Sequence, residues 1–220
     1  MTFNAGPSNL SSLTVSSETI NVNTASLTTT GDQTYTGDIA LQATTELDGA
    51  NVNVTGGISG AASLTLDGTT DVSGTIGTDV VNLTVETGSL TAGTIDITGN
   101  LDADQNVETD TGAILVDGTA DTEGTLIGET GVDIGSTSDL GGDVTAQAND
   151  VDLGGSVTLT ADVVITGANV NVTGSIDGDF DLTLDGTSDV SGTIGTTVTD
   201  LTVQGGSLTA GTIDIDGNLD

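Results

Sequence analysis

Short segments of the form apolar, polar, apolar recur along this sequence: Leu64-Thr65-Leu66, Leu83-Thr84-Val85, Ile95-Asp96-Ile97, Val157-Thr158-Leu159, Leu182-Thr183-Leu184 and Leu201-Thr202-Val203. Period-two alternation sends one set of side chains inward and the other outward, which is the mark of a strand with one buried face. Between the segments lie clusters of Gly, Asp, Asn, Ser and Thr, such as Asp67-Gly68 and Gly99-Asn100, whose turn chemistry ends each strand. No stretch of useful length carries apolar residues at helical spacing. Leu64 and Leu83 are 19 residues apart, and so are Leu182 and Leu201, a spacing in the range of solenoid coils. The pattern predicts an all-β chain wound as a β-solenoid of about eleven coils of about 20 residues, continuous as a single segment over residues 1–220.

A longer repeat overlies the short one. Residues 49–102 and 167–220 align without a gap at an offset of 118, and 42 of their 54 positions are identical. Both begin GANVNVTG, both contain LTLDGT and DVSGTIGT, and both close on SLTAGTIDI and GNLD. Six coils of about 20 residues are expected to fill the 118-residue unit. The second copy stops at Asp220 in the register of Asp102 with nothing resembling a cap. Open strands make a sticky edge, so the expectation is a fragment of a longer repetitive chain, or a segment on which another subunit stacks.

Composition separates this reading from its competitors. The only aromatics are Phe3, Tyr35 and Phe180. A pair of immunoglobulin-like sandwiches would require longer strands and an aromatic core, whereas thin stacks of small aliphatics suit a solenoid. The apolar fraction of 34% and the repeats argue against disorder despite the charge.

That charge is extreme. Asp and Glu total 33 and there is no Lys, Arg or His, giving a formal net charge of −33. Side-chain salt bridges are therefore impossible. Nucleic acid is excluded as a direct partner, because displacing phosphate counterions needs Lys or Arg. An anionic membrane surface is disfavoured on the same ground, and no apolar run is long enough to insert into a bilayer. The N-terminal residues show neither the basic region nor the apolar run of a signal peptide. With no Cys there is no disulfide or thiolate chemistry. Without His, Cys, Lys or Arg, nucleophilic triads and most general bases are out of reach. A carboxylate pair could still hydrolyse a glycoside, but no acidic residue here sits beside aromatic or basic residues that would grip a sugar. The expectation is no enzyme and no required cofactor.

The acidic turns raise the question of calcium. Asp67, Asp102, Asp104, Asp117 and Asp185 offer oxygens beside flexible turns. Calcium needs six to eight oxygens, so several groups must converge at each ion. The glycine-rich GGxGxD nonapeptide of calcium-binding repeats is missing. Coils stacked at about 4.8 Å would spread the charge along a rod of about 50 Å, close to the linear density of duplex DNA. Diffuse association of divalent cations with the whole surface is expected in preference to defined cages. Thr28-Thr29-Thr30 and the Thr34/Thr36 pair fit an ice-binding ladder loosely, but the motif does not recur at every coil, and Thr is a good outward strand residue. Asn53-Val54-Thr55, Asn82-Leu83-Thr84 and Asn171-Val172-Thr173 match the N-glycosylation pattern, which carries little weight in a chain rich in Asn and Thr.

The run Thr30-Gly31-Asp32-Gln33-Thr34-Tyr35-Thr36-Gly37-Asp38-Ile39-Ala40-Leu41, followed by Thr44-Thr45-Glu46-Leu47, resembles the TGDQTYxGxVxL…TTL coil of filamentous-haemagglutinin-like repeat regions in large bacterial surface proteins. In that family the repeats form a long right-handed β-helix that projects from the cell or is released as filaments. The resemblance implies an extracellular or cell-surface structural module of a filament, sheath or matrix fibre. Its expected partners are copies of itself, end to end or side by side, together with divalent cations. The alternative is the rigid stalk of a giant surface adhesin whose binding domain lies outside this segment.

Overall fold

The structure, a computed structural model, describes residues 1–6 and 10–220. Its 24 strands form one sheet that winds on itself, and no helix occurs among the described residues. Successive coils pair in parallel, each strand lying on the strand one turn earlier. This is a β-solenoid of about eleven coils, as the alternation predicts.

Each coil lays three strand segments on three faces. The first face carries Gln33, Val52, Thr70, Leu90, Val107, Leu126 and Val144 in register. The second carries Ile20, Ile39, Ile58, Ile76, Ile95 and Ile114, six isoleucines stacked one per coil and all buried. The third carries Leu64, Leu83, Leu101, Ala120, Ser138, Val157 and Ile176, in steps of 18 or 19 residues. The coil is therefore about 19 residues, one shorter than expected, because three-residue strands need only short corners between them. Six steps carry Leu64 to Ile176, six residues short of its copy Leu182, so the 118-residue unit is longer than six whole coils.

Stacking at about 4.8 Å brings like side chains into continuous van der Waals contact, and β-branched residues pack well on a pleated surface. The interior is one continuous and mostly apolar column from Val15 to Leu201. It has a polar knot in the coil built by Thr30–Leu41. Gln33 and Tyr35 both point inward and are fully buried. The Gln33 amide donates to the carbonyls of Leu27 and Asp48, each at 2.6 Å, and the Tyr35 hydroxyl donates to Gln33 Oε1 at 2.7 Å. Burial pushes the Tyr35 phenol well above its ordinary range. Two other inward hydroxyls, Thr122 Oγ1 and Ser138 Oγ, are buried without a hydrogen-bond partner.

The corners have their own demands. Gly68 (φ +122°) and Gly186 (φ +136°) occupy the same place in the two copies. A Cβ at either would run into the carbonyl of Gly49 or Gly167 in the adjoining coil. The left-handed backbone and the close approach together require glycine.

Candidate functional site: the acidic outer surface

With no cation in any side chain, the carboxylates find other partners, and at the corners these are backbone N–H groups. An Asx residue set immediately before a strand accepts a hydrogen bond from the backbone of the next coil. Asp162 accepts from Asp181 N at 3.0 Å, Asp181 from Asp200 N at 3.2 Å, and Asp200 from Asn218 N at 2.6 Å. On another corner Asn82 accepts from Asn100 N at 2.9 Å and Asn100 from Thr119 N at 3.0 Å. Asp143 and Asp150 do the same for Val164 and Asn169, and Asp38, within its strand, accepts from Gly57 N. The duplication supplies a comparison within one molecule: Asn82 and Asp200 are matched positions, and both accept the next coil's N–H. The contact needs an oxygen, not a charge.

Elsewhere the acids stack on each other. Asp102, Asp121 and Asp139 are in-register neighbours on outward positions of the third face, and Asp133 pairs with Asp152 on the second. Partial desolvation against the coil, then Asp104 and Asp121, raises the carboxyl of the exposed Asp102 above its usual range. Partial desolvation, then Asp152 and Asp117, does the same for the exposed Asp133. Asp133 and Asp152 line a shallow depression of about 260 Å³ with Leu115, Asn149 and Asp150, and no aromatic ring borders it.

Glu46, Asp67 and Glu86 converge from three successive coils, with carboxylate oxygens all within 4.8 Å of one another. It is the one group of three possible metal ligands that converges among the described residues. A bulge beside Val85, where Leu66 pairs with Val85 but Asp67 with Thr87, makes room for Glu86 at the corner. The Thr87 hydroxyl donates to Asp67. Burial, followed by Asp48, Glu86 and Asp67, raises the Glu46 carboxyl.

Comparison with protein families, with curated proteins and with solved structures returned no match.

Of the five aspartates that the sequence marks for calcium, only Asp67 joins a convergent group. Its copy Asp185 has Val164 and Gln204 where Asp67 has Glu46 and Glu86, so the trio is not repeated. Asp102 and Asp104 are exposed and close enough to influence one another, and Asp117 is exposed near Asp133. Glu46 and Glu86 were not singled out by the turn chemistry. Coil spacing could have found Glu86, which lies one 19-residue step beyond Asp67.

Proposed function

We propose that this chain is a structural module of an extracellular or cell-surface filament, sheath or matrix fibre, a stiff acidic rod associated with divalent cations and not an enzyme. The observation that carries the reading is the uninterrupted parallel solenoid itself: a continuous and mostly apolar column inside and 33 carboxylates with no side-chain cation outside. Ladder hydrogen bonds running along one axis give stiffness, and dense like charge draws cations to the surface. The resemblance of Thr30–Leu47 to filamentous-haemagglutinin-like coils supports the same reading and implies a right-handed winding. Calcium association is read as diffuse, with Glu46, Asp67 and Glu86 the densest point.

Copies of the chain are the proposed partners. At Leu208–Ile213 the sheet is paired on one side, and Leu208 and Ile213 are exposed to degrees that their matched residues Leu90 and Ile95, fully buried, are not. Another coil of the same kind fits that edge. The unbroken stack would equally serve as an adhesin stalk, which stays a single rod.

Electron microscopy of native material, before and after removal of divalent cations with a chelator, tests this. Continuous fibres with an axial repeat near about 4.8 Å support the filament. Their dispersal on chelation would make cations the lateral bridge. Isolated thin rods in both conditions would replace the filament with the stalk, and compact particles would sink both.

A further inference from the structure

The two copies of the duplicated sequence do not lie on the same face. Leu64 belongs to the third-face column that reaches Ile176 six coils on and continues to Ile194. Its copy Leu182 is outside that column. Leu182 pairs with Val163, and two residues further on Leu184 pairs with Ile165, which pairs with Val144 of the first face. The same displacement holds along the repeat. Val52 is on the first face, but its copy Val170 pairs with Val151 on the second. Ile76 is on the second face, but its copy Ile194 pairs with Ile176 on the third. The offset of 118 residues is six coils and one face.

Burial survives the move. Leu64 and Leu182, Val52 and Val170, and Ile76 and Ile194 are all fully buried. One sequence thus fills the interior equally well from neighbouring faces. The physical reason is that every face asks for the same thing: two inward apolar residues around one outward residue, and a corner of small or Asx residues.

We infer that the three faces of this solenoid are interchangeable, that its modular unit is one strand with its corner, and that the duplication shows one outward surface in two directions, a third of a turn apart. The outward residues Thr65, Asp71 and Thr91 reappear as Thr183, Asp189 and Thr209, each turned by one face. On the filament reading, on which this consequence alone rests, a second copy of the chain meets the same cation-bridged surface from two sides of the rod. Lateral assembly then grows as a network and not as a ribbon.

The chain has no cysteine, so paired substitutions report its register cleanly. Thr158 and Asp177 are outward neighbours in the rotated register, and Thr183 would take the place of Asp177 if the copies shared a face. Thr158→Cys with Asp177→Cys is expected to form a disulfide in nearly all molecules under mild oxidation, and Thr158→Cys with Thr183→Cys to remain free. The reverse result overturns the rotated register. Deletion of Val132–Thr137 removes one strand and its corner, bringing both copies to one face. Hydrogen exchange is expected to show amides 138–220 as protected as before, while deletion of Gly135–Thr137 alone, which removes a corner, exposes them. Equal loss of protection in both deletions overturns interchangeability. The six-residue deletion should also turn networks into single-layer ribbons under the microscope. Unchanged networks overturn the two-direction surface alone, and the absence of any assembly by the intact chain overturns the filament reading while leaving the register in place.

Discussion

Thr122 and Ser138 bury a hydroxyl each where the coil supplies no acceptor, and Gln33 and Tyr35 bury theirs in a closed set of hydrogen bonds. The contrast sets the sign of a substitution. An unpartnered buried polar group costs about 1–3 kcal/mol, whereas a group with its partner in place does not. Thr122→Val keeps the shape, removes the unmet hydroxyl and is expected to raise stability by about 1 kcal/mol, or about 2–4 °C in melting temperature for a chain of this size. Calorimetry of the variant checks it, and a lower melting temperature would show that this hydroxyl finds a partner after all. Both residues take inward positions, but as polar residues in apolar places they escape the apolar, polar, apolar pattern of the sequence. Nor does the sequence mark them as unsatisfied, because satisfaction depends on which carbonyls the neighbouring coils turn inward.

At the scale of the strand and its corner, hydrogen bonding divides the acids into two kinds that composition cannot tell apart. Asp181 both donates its N–H to Asp162 and accepts from Asp200 N, a link in a chain along one corner. Asp181→Ala is expected to lower stability by about 1 kcal/mol through the lost cap. Asp181→Asn keeps an oxygen in place, removes a negative charge beside Asp162 and Asp200, and should leave stability equal or higher. Parallel thermal melts of the two variants distinguish an acceptor role from a charge role, and equal destabilisation by both would make the charge essential. Strands and corners were legible because alternation and turn residues are local signals. Gly68 and Gly186 were legible as turns for the same reason. The corner caps, the bulge that admits Glu86 and the one-face displacement of the copies were not, since each depends on which residues lie one turn away. A coil of about 20 residues instead of about 19 looks like a small error, but over six coils it hides a whole face.

For the whole rod the question is how a surface of 33 carboxylates responds to protons. Glu46, Asp102 and Asp133 all have carboxyls raised above their usual values, first by partial desolvation and then by like-charged neighbours. The charged form is thus less favourable in the rod than in the unfolded chain, and the folded state binds protons more readily. Where the folded state holds more protons, stability falls as pH rises. For these groups the loss begins near the unfolded values of about 3.9 for Asp and about 4.3 for Glu, and is complete once pH has passed the raised values in the rod. No Lys, Arg or His is present to offset the crowding of like charge. The rod is expected to melt higher at about pH 4, near the unfolded carboxylate values, than at about pH 7.5 in low salt, the reverse of ordinary acid denaturation. At about 1 M salt, where the screening length falls to about 3 Å, the part due to neighbouring charges should shrink and the part due to desolvation persist. Melting curves at both pH values and both salt concentrations separate the two, and a rod that melts lower at about pH 4 than at about pH 7.5 would overturn desolvation and like-charge crowding together as what sets its response to protons.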